Sequence, residues 1–365
     1  MPLKLLVISS YGDSWNSVRP EAEILIGMVK LGVDVTVMTQ GDAEYVARFR
    51  EQGVKVIDFH PTRKFQWSAV KRIRSELKNG GYDAAYLFNN KAIVNALFAA
   101  IGLPIKMVSY RGQTGNIYRY DPSCYLTHLN PRLDGILCVA NAVRDDLRKH
   151  VYLPAERVET IYKGHSLDWY QDAPADLAEF GVPSDAFVVG CIANDRPRKG
   201  LPVLLQACHQ LHQDQAIHLL LVGGGMDSDA IQKLIADSPM KDRIHVAGFR
   251  RDAPAIIAAC DVSVLPSTKR EGLPKTVIEA MAYGVAPVVS DTGGSAELVI
   301  DGESGLVVKP GDSRAIARAV TQLRKNPEYC QQVGKYAKQR IHEVFHTDLS
   351  AQHTKTYFER LIGLH

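Results

Sequence analysis

The sequence predicts an α/β protein made of two Rossmann-like domains, each a doubly wound parallel sheet, facing each other across a cleft. Three observations carry that expectation. The chain has 365 residues, more than one hydrophobic core ordinarily organises, so two domains of roughly 170 to 180 residues are expected. Short continuous apolar runs such as Leu3 to Ser9 alternate with segments of helical periodicity, the pattern of parallel strands covered by helices on both faces. The alternation restarts at Ala186 after a turn-rich stretch from Lys163 to Ser184.

In chain order, strands are expected at Leu3 to Ser9, Val33 to Met38, Val54 to Phe59, Ala84 to Phe88, Ile105 to Ser109 and Gly135 to Val139. After the hinge they recur at Phe187 to Ala193, His218 to Val222, Arg243 to Ala247, Val262 to Leu265, Ala286 to Ser290 and Gly305 to Val308. Beyond Asp312 the pattern is helical. The expected boundaries are residues 1–168 and 169–345, followed by a last helix, 346–365. A helix over Arg63 to Lys78 turns Val70, Ile73 and Leu77 inward and puts Trp67, Lys71, Arg74 and Lys78 on one face. That face is either a solvated surface or a docking site for anionic membrane.

A hydrophobic content of 46% and a charged content of 23% are those of an ordinary globular chain. Residues 1–170 hold 22 Lys+Arg against 17 Asp+Glu (+5) and the remainder 21 against 23 (−2), together the net +3 of the whole. A basic first half points to an anionic partner, but no basic stripe with interleaved aromatics appears, so nucleic acid is not expected. The six cysteines form no C-x-x-C pair and read as reduced, buried thiols. Met1 to Lys4 leads straight into a strand pattern without a signal peptide, and no apolar run reaches the ~18 residues of a spanning helix, which points to the cytoplasm.

The chemistry concentrates in Arg270 to Asp291, REGLPKTVIEAMAYGVAPVVSD. A loop with Glu271, Gly272, Leu273 and Pro274 opens into a helix that begins near Thr276, and a helix start offers unpaired N–H groups, here near Lys275 and Thr276, and partial positive charge to a phosphate. Glu271 and Glu279 bracket that seat as acceptors for sugar hydroxyls. Thr276 to Glu279 is also an S/T-x-x-E capping box, in which Glu279 would only close the helix. The two glutamates, with seven residues between them, GLP after the first and EAMAYG around the second, resemble the signature of family 4 retaining glycosyltransferases of the GT-B fold. The match runs through roughly the last half of the chain; the first half matches mainly in its pattern of elements.

That resemblance implies a metal-independent, retaining transfer of a sugar from a nucleotide diphosphate sugar, with UDP-sugar the expected donor, to a hydroxyl of a glycan or lipid-linked acceptor in polysaccharide or lipopolysaccharide synthesis. It makes Glu271 the holder of donor-sugar hydroxyls, Glu279 the acceptor for ribose hydroxyls, and Lys199 in ANDRPRKG the contact to the diphosphate. Family members usually carry an arginine five positions before that lysine. Here Asn194 stands there, and Arg196 or Arg198 would supply the charge. The Gly223 turn and Gly248-Phe249-Arg250 would line the nucleotide, although Phe249 could equally fill the core. In the first domain, which would hold the acceptor, Gly12 replaces the family's glycine pair, and Arg111 is either an anion contact or a structural ion-pair partner. His165 reads as a structural histidine. The last helix would return to the first domain, with Leu349, Tyr357, Phe358 and Leu361 for packing. Asp227-Ser228-Asp229 resembles a metal-binding D-x-D but is expected to cap a helix, so neither metal nor cofactor is expected beyond the donor. Two other classes stay open: a nucleotide-sugar epimerase or sugar phosphorylase, and a non-catalytic nucleotide-sugar-binding protein. A dehydrogenase is not expected, since no G-x-G-x-x-G follows the first strand.

Overall fold

The computed structural model describes residues 2–364, and the chain divides into two compact units, Met1–Gly164 with Phe345–His365, and His165–Val344. In the first unit the order is β1 (Lys4–Ile8), α1 (Trp15–Lys30), β2 (Asp34–Thr39), α2 (Val46–Glu51), β3 (Lys55–Asp58), α3 (Trp67–Asn79), β4 (Ala84–Leu87), α4 (Asn90–Ala99), β5 (Lys106–Arg111), β6 (Gly135–Cys138), α5 (Asn141–Arg148) and β7 (Val158–Thr160). The seven strands pair in parallel in the order β3-β2-β1-β4-β5-β6-β7. Every residue of β4 and β6 is buried, which is why those strands read as continuous apolar runs. β7 escapes sequence reading for the opposite reason. It is a three-residue edge strand, Val-Glu-Thr, with a single apolar side chain to announce it.

The spacing in α3 does what it predicts: Val70, Ile73 and Leu77 are buried while Trp67 is 66% exposed. Its basic face is less free than the sequence suggests. Arg74 Nη1 donates to the carbonyls of Ala99 and Ile101 at 2.7 Å each, which ties α3 to the end of α4.

The second unit runs β8 (Phe187–Ile192), α6 (Leu201–Leu211), β9 (Ile217–Val222), α7 (Asp229–Ala236), β10 (Ile244–Gly248), α8 (Ala253–Ala258), β11 (Val262–Leu265), α9 (Lys275–Tyr283), β12 (Ala286–Ser290), β13 (Leu306–Val308), α10 (Ser313–Lys325) and α11 (Pro327–Glu343). Its six parallel strands are ordered β10-β9-β8-β11-β12-β13. The strand order therefore reverses between β8 and β11, so the loops leaving those two strands diverge and open a crevice at their carboxyl ends.

The last helix, α12 (Thr347–Ile362), belongs to the first unit and packs along α1. Ala351, Tyr357, Phe358 and Leu361 are buried, and a Cβ on Gly27 of α1 would lie 2.7 Å from that of Ala351, so the two backbones approach closely. Leu349 does not join them. It is 38% exposed because Ser350, Ala351 and Thr354 form the inward stripe and Leu349 falls outside it. All six cysteines are free, five of them buried.

Candidate active site

Arg198, Lys199, Glu271 and the start of α9 converge on the crevice between β8 and β11. After β8 the chain makes a short 3-10 turn, Pro197–Lys199, and enters α6 through Gly200. Gly200 has φ +69, and a Cβ there would fall 2.0 Å from the Pro266 carbonyl oxygen, so only glycine lets this turn lie against the loop after β11. The contact is reinforced by the Arg198 carbonyl, which accepts from Thr268 N–H at 2.8 Å.

That packing delivers Lys199 to Glu271. Lys199 Nζ lies 2.9 Å from Glu271 Oε1, and Arg198 Nη1 lies 3.8 Å from the same oxygen. Ser267 Oγ donates to Oε1 at 2.6 Å, and Glu271 Oε2 has no partner among the described residues. Glu271 is buried, 4% exposed. On its far side a turn at Gly293–Ser295 presses on the loop: Gly293 has φ +53, and a Cβ on it would come within 2.0 Å of the Glu271 carbonyl oxygen. The sequence reading missed Ser267 and this Gly293-Gly294 turn. A glycine pair separated by two residues from an apolar strand was the signal that could have found the latter.

Three residues beyond Glu271, Pro274 is the N-cap of α9, and no side chain caps the helix. Its first-turn N–H groups, around Lys275 and Thr276, are left for an anion. Thr276 sits inside the helix, so the capping-box reading fails. Glu279 instead pairs with Lys275, Nζ to Oε1 at 2.6 Å. Burial raises the Glu279 carboxyl above its ordinary range, and Lys275 offsets part of that rise. The carboxylate is only 4% exposed and its lysine is half-buried.

Other candidates fall elsewhere. Gly223 N–H donates to the Gly248 carbonyl at 2.7 Å, which ties the loops after β9 and β10. Phe249 is 72% exposed, so it is not core filler. Arg250 clamps Glu179 at 3.1 Å and Asp252 at 2.7 Å, and those carboxylates, Asp252 first, raise its pKa above the ordinary value. Asp229 occupies the first turn of α7 without capping it. In the first unit Gly12 is exposed and a Cβ there would meet nothing closer than 3.8 Å. Arg111 donates to the Gly115 carbonyl and forms no ion pair within 4 Å among the described residues. His165 is buried, its Nδ1 2.5 Å from the Tyr170 hydroxyl. No group of three or more His, Cys, Asp or Glu is arranged to hold a metal among the described residues.

A cluster of cations and a buried carboxylate beside an uncapped helix start, at a sheet's switch point, is suited to a sugar carrying phosphate. Comparison with known proteins gives that arrangement a family. Residues 22–169 match the model Glycosyltransferase Family 4, and residues 172–340 match Glycosyl transferases group 1. The chain belongs to the family 4 glycosyltransferases. It is 34% identical over 148 residues to the lipopolysaccharide core biosynthesis glycosyltransferase LpsE of Rhizobium meliloti, a match covering 40% of this chain and 42% of that one. Among solved structures, a glycosyltransferase from Rickettsia africae aligns with a TM-score of 0.83 at 16% identity, over 99% of this chain and 98% of its own. HepE of Anabaena, solved with UDP and glucose, aligns with a TM-score of 0.77 at 21% identity, over 96% and 98%. These likenesses give this chain the GT-B fold. The chain spans about half the length of the curated relatives it matches, 42%, 55% and 63% in three of them.

Proposed function

We propose that this glycosyltransferase moves a sugar from a nucleotide diphosphate sugar, with UDP-sugar the expected donor, to a hydroxyl of a glycan or lipid-linked acceptor, with retention and without a divalent metal, in polysaccharide or lipopolysaccharide synthesis. The observation that carries the reading is the Lys199–Glu271–Ser267 cluster beside the uncapped start of α9. Breaking the anomeric C–O bond leaves oxocarbenium character on the sugar and extra negative charge on the departing diphosphate. Lys199, a neighbouring arginine and the first-turn N–H groups of α9 neutralise that charge without a metal ion. Once Lys199 turns to the diphosphate, Glu271 is released to accept hydrogen bonds from the donor sugar, and Glu279 accepts them from the ribose. The acceptor oxygen then bonds to the anomeric carbon on the face the diphosphate leaves, and its proton passes to a departing phosphate oxygen.

The relatives' names support the setting: LpsE is named for lipopolysaccharide core synthesis, and HepE was solved with UDP and glucose. The first unit would hold the acceptor. Trp67, Lys71 and Lys78 on α3 would rest against anionic membrane bearing such acceptors; no helix among the described residues is long and apolar enough to cross one. The deciding experiment incubates the protein with UDP- and GDP-sugars and analyses products with and without acceptor. Sugar transferred with retained anomeric configuration and unaffected by chelator is expected. Epimerised donor, or release that requires inorganic phosphate, would overturn it.

A further inference from the structure

We propose that Arg198 supplies the second positive charge of the diphosphate site and that Asn194 holds the adjoining glycine loop in place. The assignment rests on the donor reading above. The two halves of it come from separate contacts. Asn194 Oδ1 accepts from Gly224 N–H at 3.0 Å, and the next residue's N–H, Asp195, donates to the Gly224 carbonyl at 2.8 Å. Asn194 is thus spent on backbone. Its short amide seals the end of β8 to the loop after β9, a contact that an arginine's donor-only guanidinium could not make.

Positive charge reappears four residues along. Arg198 Nη1 lies 3.8 Å from Glu271 Oε1, the oxygen that also holds Lys199, and donates to the Arg270 carbonyl at 2.9 Å. Arg270 has φ +60, a left-handed conformation that costs a non-glycine residue energy, and the guanidinium grips it one residue before Glu271. Arg198 therefore both fixes the Glu271 loop and sits within reach of whatever Lys199 binds. Arg196, the other cation of the turn, is exposed at its N-cap and forms no ion pair within 4 Å among the described residues. A nucleoside diphosphate, with its paired oxygens, suits an arginine and a lysine on consecutive residues better than a single point charge would.

The test compares Arg198→Ala, Arg198→Lys, Arg196→Ala and Asn194→Ala by calorimetric binding of UDP, GDP and the corresponding nucleosides. Each variant's melting profile checks its fold. Arg198→Ala should weaken whichever diphosphate the wild type binds by about 10- to 100-fold, the scale of a lost hydrogen bond to a charged group, with nucleoside binding unchanged. Arg198→Lys should recover part of that loss, and Arg196→Ala should change it less than about twofold, the scale of an exposed ion pair. Asn194→Ala should weaken diphosphate and nucleoside together, because the loop rather than the charge is disturbed. A wild type that binds neither diphosphate overturns the donor reading and this assignment with it. Wild-type binding that Arg198→Ala leaves intact, or that Arg196→Ala reduces more, overturns this assignment alone.

Discussion

The same trio of groups occurs twice in this chain. In the first unit Lys163 Nζ lies 2.9 Å from Glu21 Oε2, and Ser9 Oγ donates to Glu21 Oε1 at 2.6 Å. In the second, Lys199 and Ser267 meet Glu271 at 2.9 and 2.6 Å, but both on Oε1. Glu21 uses both oxygens, whereas Glu271 keeps one back. The surroundings differ in the same sense. Tyr110 lies 4.7 Å and Phe88 5.8 Å from Lys163, and although burial opposes its charge, Glu21 and Tyr110 outweigh that and raise its pKa. The Glu271 trio adjoins a helix start that no side chain caps. The same three groups thus meet with both carboxylate oxygens engaged at Glu21, and on one oxygen beside an uncapped helix start at Glu271.

The sharpest way to break that comparison is to remove charge from the second unit. Lys199→Ala and Glu279→Ala should each reduce transfer by about 100-fold or more, the scale of a lost transition-state electrostatic contact, with melting temperature nearly unchanged. Steady-state rates close to wild type in both would erase the distinction.

The first unit should answer in the other currency. Lys163→Met strips Glu21 of its ammonium in a largely buried setting and should cost about 2 to 3 kcal/mol of stability, slightly below a fully buried broken pair. Urea midpoints measure this, and Lys199→Met should shift them less, because Arg198, 3.8 Å from Glu271 Oε1, remains to offset that carboxylate. Equal losses would mean both pairs are structural.

Smaller still is the pH response of the first unit. Burial lowers His60 to about 4 and His128 to about 3, so the native state binds fewer protons there than the unfolded chain. Depressed folded pKa values give stability that is present above the unfolded pKa near 6.5 and is lost as pH falls below it. Between pH 7 and pH 6 the two together should cost about 1 to 1.5 kcal/mol, and His60→Asn should remove roughly half of that slope.

The slightest effect is expected at α3. Lys78→Ala alone should reduce binding to anionic liposomes in flotation by about fivefold, since one surface cation contributes about 1 kcal/mol. Unchanged flotation removes the membrane role.

Much of the fold was legible. Apolar runs marked twelve of the strands, most plainly β4 and β6, where burial on both faces leaves no room for polar residues, while β7, short and at an edge, carries no such mark. Within the site, a helix start near Thr276, found one residue earlier at Lys275, and the placement of Glu271 and Lys199 on strand-end loops followed from the strand pattern. The role of Glu279 did not. Its spacing from Thr276 fits a cap equally well, and only the position of the helix start, one residue earlier, gives it to Lys275.

Periodicity and loop chemistry by themselves determined the two parallel sheets and the loops that carry charge, because both depend on near neighbours in sequence. Which charges meet was decided by tertiary structure alone. Arg198 reaches the Arg270 carbonyl across 72 positions of chain and Asn194 reaches Gly224 across 30. Such contacts depend on strand register and on a Cβ missing at Gly200, neither of which local sequence encodes.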